Sequence, residues 1–208
     1  MLLENISYQI DIIRQYADDI LLIFLYCYFL NFINWIFLGS ILNIFGIIPR
    51  NLFGLIGVVF YPILHGDSKH FFSNAFPLYV LIMFCLTLES MENFITIVFI
   101  CHILTAAGLW FFARTGSHIG ASALVSALFG WLLTVNMMEP TLPGFLILFV
   151  LLVYFGGIII GLMPQQNNVS WEGHLIGFTS GVAVYVIQQH NQFFIIQTRL
   201  FSLFEPIA

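Results

Sequence analysis

Charge is what this sequence has least of. Its 208 residues include five Lys and Arg and ten Asp and Glu, 7% in all. A soluble domain carries about 25%. So few charges cannot cover a water-exposed surface, which excludes a soluble globular protein. A disordered chain is excluded as well, because disorder needs low hydrophobicity. The cations are scattered and form no basic patch to neutralise phosphates, so nucleic acid is no partner. Cysteine is scarce too. Cys27, Cys85 and Cys101 each sit in an apolar stretch, where they read as small hydrophobes and not as a disulfide framework or metal set. No secretory signal is expected at the N-terminus, since the first charges are Glu4, Asp11 and Arg14 and the apolar stretch after them is too long.

Apolar residues are abundant: 61% of positions are hydrophobic and 17% aromatic, with a mean hydropathy of +1.01. These values point to a polytopic membrane protein. A spanning helix takes roughly 20 apolar residues, so six would use about 120 positions and leave room for one bundle.

Residues 1–20 read as an amphipathic segment lying on the membrane surface, with Ile6, Ile10, Ile13, Ala17 and Ile20 at helical spacing. The six-helix domain is expected over 21–188. Its first span runs from Leu21 to Asn43. Pro49, Arg50, Gly54, Gly57 and Pro62 break the stretch from Ile44 to Gly66, which reads as a loop dipping into the bilayer. Further spans are expected at His70–Leu88, Phe94–Ala113, Ala121–Met138, Pro143–Met163 and Trp171–Gln188. The tail, 189–208, again looks interfacial. Orientation does not follow from charge: Arg14 and Arg199 fall on one side, and Arg50, Lys69 and Arg114 on the other.

The second, fourth and sixth spans start on the same side. Near those starts stand His70 and Asn74, Ser122, and His174. Polar groups inside a membrane are costly and face the bundle interior. Gly173, Gly177 and Gly181 form a double GxxxG, and Ser122, Ser126 and Gly130 repeat that spacing on the fourth span. Small residues every four positions let helix backbones approach closely. If these stripes face each other, Ser122 and His174 meet. A hydroxyl beside an imidazole is the minimum for an activated serine nucleophile. No Asp or Glu stands ready to orient the imidazole, so the pair is a dyad. His70, Asn74 and the unpaired N–H groups opening the fourth span offer donors to an oxyanion.

These residues resemble the rhomboid intramembrane serine proteases. "HFFSN", His70 to Asn74, fits the family's HxxxN motif, with His65 where another histidine often stands. "GASA", Gly120 to Ala123, fits the GxSx nucleophile motif. "HLIGFTSG", His174 to Gly181, fits HxxGxxxG. The resemblance implies an all-α bundle of six transmembrane helices with a membrane-embedded first loop. It implies Ser122 as nucleophile, His174 as general base, and His70 and Asn74 in the oxyanion hole. The fifth span would be a lateral gate, and 164–172 a cap over the site. It further implies no cofactor or metal, single-span membrane proteins as substrates, and a multi-pass protein of the bacterial inner membrane with cytoplasmic termini. Ala123 departs from the family's usual glycine, and Ser126 from its usual tyrosine, whose ring stacks beside the histidine. The family's Trp-Arg pair is absent from the first loop; Arg50 is the nearest arginine. Two other readings stand beside this one. One is a proteolytically silent rhomboid-like scaffold. The other is a small channel or transporter recruiting His102 and His118, against which no inverted repeat is visible.

Overall fold

The computed structural model describes residues 2–163 and 170–190. Most of the expected cap, 164–169, and most of the expected tail, 191–208, lie outside the described residues. The described chain is helical: α1 (Leu2–Ile36), α2 (Gly57–Phe60), α3 (Ser68–Leu88), α4 (Met91–Phe112), α5 (Ser122–Met138), α6 (Leu142–Tyr154), α7 (Gly156–Gly161) and α8 (Trp171–Gln189). Among the described residues no strand forms. Ile47 and His118 pair in an isolated antiparallel bridge that ties the first loop to the α4–α5 connection.

Four of the expected spans coincide with α3, α4, α5 and α8. The other two differ. The first helix is continuous from Leu2 and stops at Ile36, short of Asn43. The left-handed backbone of Gly39 and Ser40, at φ 57° and 65°, turns the chain there. The fifth expected span breaks at Phe155 into α6 and α7. Local chemistry starts the helices. Asp67, Ser90, Thr141 and Ser170 each accept a backbone N–H with their side chains at the first turns of α3, α4, α6 and α8.

The arrangement is that of an integral membrane protein. Three segments are long and apolar enough to cross a bilayer: Arg14–Ile36, Ser68–Leu88 and Met91–Phe112, of mean hydropathy 1.7 to 2.1. Their outer faces keep large apolar side chains such as Tyr26, Phe29, Phe76 and Phe99 at least 60% exposed. A soluble monomer rarely shows such contiguous apolar area, whereas lipid solvates it. The shorter α5 is the centre, buried on all sides from Ala123 to Leu132.

α8 lies against α5 backbone to backbone. A Cβ added at Gly177 would strike the Ala123 carbonyl, one at Gly181 the Ala127 carbonyl, and one at Gly130 the backbone of Phe178. The glycine face therefore meets Ala123 and Ala127, one residue on from the expected Ser122–Ser126 stripe. That offset leaves Ser122 and Ser126 at the wall of a cavity.

Polar groups pin the first loop. Asn31 of α1 donates to Ile63 O (2.7 Å) and accepts from His65 N (2.8 Å), and Trp35 donates to His65 O (2.9 Å). Arg50 Nη1 donates to the Phe111 and Ala113 carbonyls (3.0 and 2.9 Å). The last carbonyls of a helix lack intrahelical partners, so Arg50 satisfies the end of α4 and holds the loop there.

Candidate active site

A cavity of about 900 Å³ opens between α3, α5, α7 and α8. It collects all four candidate residues, His70, Asn74, Ser122 and His174, in one lining. Asn74 is buried; the others are half-buried.

Ser122 is the first residue of α5. Unlike the starts of α3, α4, α6 and α8, this helix start has no side-chain cap, because Ala121 precedes it. Its first N–H groups are left for another acceptor. Gly120, just before, holds φ at 103°, a conformation that favours glycine. The space that a Cβ would fill there lies 2.6 Å from His70 Nε2 and 3.5 Å from Asn74 Nδ2.

The His70 ring is oriented from its other side. Gly66 N donates to His70 Nδ1 at 3.4 Å, which leaves Nε2 as the N–H. Asn74 Nδ2 donates to His70 O at 2.8 Å, locking the amide on the same helix face. Both donors therefore border the space beside Gly120.

His174 lies one turn into α8. Its Nδ1 stands 3.2 Å from the carbonyl oxygen of Gly161 in α7. An Nδ1–H donated to that carbonyl leaves Nε2 as an acceptor. Among the described residues no hydrogen bond joins Ser122 to His174 directly. They share the cavity, and a catalytic contact often tightens only when substrate binds.

The mouth is polar. Ser170 caps α8 and meets His118 Nδ1 at 3.2 Å, while His118 Nε2 meets the Arg114 carbonyl at 2.9 Å. Arg114 Nε pairs with Glu172 at 3.6 Å. These contacts fasten the 113–121 connection to the start of α8.

Two contributors escaped sequence reasoning. Ser170 carried a readable signal, a serine directly before the helix opening at Trp171. The Gly161 carbonyl carried none, because a backbone atom has no side-chain signature. At the end of the first loop, burial drives His65 down to about 4, from an ordinary value of 6.5; the neighbouring His70 acts in the same direction, opposed by the Ile63 carbonyl and Asp67.

Residues 52–190 match the Rhomboid domain family model. Uncharacterized proteins of Mycobacterium tuberculosis and Mycobacterium bovis are 39% identical over 166 residues, covering 72% of this chain and 66% of theirs. One of Mycobacterium leprae is 34% identical over 144 residues, covering 63% and 55%. The chain thus spans just under two thirds of the length of the first of these relatives. The family match covers the first loop from Leu52 onward, α3 to α8 and the whole cavity lining, and the chain belongs to the rhomboid family of membrane proteins.

Proposed function

We propose that this protein is an intramembrane serine endopeptidase that cleaves the transmembrane helices of single-span membrane proteins. Family membership supports this, since rhomboids are generally such proteases. The observation that carries it is the cavity. It brings a serine at an uncapped helix start, an imidazole whose Nδ1 faces a carbonyl, and a second imidazole aimed at the space beside the serine into one lining.

In this reading His174 Nε2 takes the proton from Ser122 Oγ as the oxygen attacks the scissile carbonyl. The oxyanion forms beside Gly120, where His70 Nε2–H, Asn74 Nδ2–H and the Ser122 backbone N–H donate to it. His174 then passes its proton to the departing amine. Water, deprotonated by the same ring, hydrolyses the acyl-enzyme and frees Ser122. α1, α3, α4, α5, the α6–α7 pair and α8 form six spans, with α5 at the short limit of about 17 residues. The first loop lies within the bilayer, and the termini face the cytoplasm of a bacterial cell.

The test is a single-span reporter with a small residue in a helix-destabilised segment, reconstituted with the full chain in proteoliposomes. The parent protein is expected to cut within the span, and Ser122→Ala to leave the reporter whole. An uncut reporter set with the parent, across several such segments, would contradict the proposal.

A further inference from the structure

A histidine base needs its two ring nitrogens in different states. Nε2 must be free to accept, so Nδ1 carries the proton and needs an acceptor of its own. Serine hydrolases with a triad supply a carboxylate for this. Here the nearest carboxylate in sequence, Glu172, is turned to Arg114 and Ser170, at 3.6 and 3.5 Å. Among the described residues no aromatic ring packs on His174 either, and Ser126 stands one turn after Ser122.

The acceptor that remains is Gly161 O, 3.2 Å from His174 Nδ1. Its residue type matters. A Cβ at Gly161 would lie 2.9 Å from Nδ1 and 3.5 Å from its neighbouring ring carbon Cε1. That is too close for Nδ1, so with any side chain there the ring would have to shift. Resting on the protease reading for its chemical meaning, we propose that Gly161 is a positioning residue, whose carbonyl holds His174 in the Nδ1–H form and whose missing side chain admits the ring.

The location adds a consequence. Gly161 closes α7, and α7 is separated from α6 by the break at Phe155. Gly156 and Gly157 at that break have open space around them. The ring is therefore oriented by a short helix that is separate from its own helix and set off from α6 by a break at its other end. The state of the base depends on where α7 lies against α8.

The experiment is magic-angle-spinning NMR on the full chain in lipid bilayers, with histidine labelled in ¹³C and ¹⁵N. The His174 signal is assigned by its loss in His174→Gln. The parent is expected to show His174 as the Nδ1–H tautomer. Gly161→Ala is expected to shift it to the Nε2–H form or a mixture, with kcat lower by about a hundredfold and KM nearly unchanged. Ile159→Ala, on the same helix but outside the cavity lining, should move neither. An Nε2–H ring in the parent overturns the proposal without any variant. So does Gly161→Ala with the parental tautomer and kcat. A parent that never cleaves would defeat the protease reading alone, because the tautomer is read independently of turnover.

Discussion

Two walls of the same cavity are built in opposite ways. On one side α5 and α8 touch through Gly177, Gly181 and Gly130, with no side chain between the backbones at those points. On the other side the wall is the short α7, with Gly157, Ile158 and Gly161 in the lining. It follows α6, which buries Gly144, Ile147 and Leu151 against the bundle, leaves Leu146, Phe149 and Tyr154 62–74% exposed, and breaks before it reaches the site. Where Gly144 meets Asn136 and Thr141, α6 is fastened close to α5, at the end away from the cavity. The close wall carries Ser122 and His174, whose spacing the proposed reaction requires to hold within fractions of an ångström. The loose wall carries only a carbonyl. On the proposed reading, precision is placed where bonds would change, and freedom where a substrate helix would approach.

The hardest way to break the contrast is to remove a reacting group from the close wall. Ser122→Ala and His174→Ala are each expected to reduce cleavage of a transmembrane reporter to background while the protein remains folded in detergent. Gel-based cleavage with size-exclusion profiles checks both points, and near-normal cutting by either variant would contradict the dyad.

Next come the donors on α3. His70→Ala and Asn74→Ala should each slow cleavage by roughly 10²–10³, the cost of losing one oxyanion donor, about 2.7–4 kcal/mol. Steady-state kinetics should place the loss in kcat. Two variants as fast as the parent would make these residues structural.

The comparison itself is sharpest in a matched pair of substitutions. Gly177→Val forces the α5 and α8 backbones apart. A displacement of about 1 Å is enough for on the order of a hundredfold in rate. Leu146→Val removes one methylene from a side chain 67% exposed on α6 and should change little. Equal effects from the two would dissolve the distinction between the walls.

The smallest effect is expected at the loop. His65 is 3% exposed and its acidity is held near 4. Its folded value lies below the unfolded one, so its contribution is complete above pH 6.5 and is lost as pH falls toward 4. The linked loss is on the order of 3 kcal/mol. Thermal unfolding in detergent should show the midpoint falling over that window, and His65→Gln should flatten the fall. An unchanged slope in that variant would assign it to other groups.

Much of the site could be read in the sequence because it is written in side chains. Gly177 and Gly181 announce a close helix contact by spacing alone, and His70, Asn74, Ser122 and His174 share a depth because alternate spans start on one side. What remained hidden is written in backbone. The end of α1 depends on φ at Gly39 and Ser40, and the register of the close wall falls on Ala123 and Ala127 because neighbouring small residues look alike in a pattern. Arg50 reads as a stray cation until the Phe111 and Ala113 carbonyls are seen beside it. The break at Phe155 interrupts an apolar run that no proline marks, and the Gly161 carbonyl becomes visible only once α7 is placed on α8.

The central claim is that Ser122 is an activated nucleophile made so by His174. Incubating the purified full chain with a fluorophosphonate and locating the adduct by mass spectrometry tests it most directly. The account predicts one phosphonylated residue, Ser122, with labelling lost in His174→Ala and reduced in Gly177→Val. An unlabelled parent, an adduct on another serine, or full labelling without His174 would contradict it.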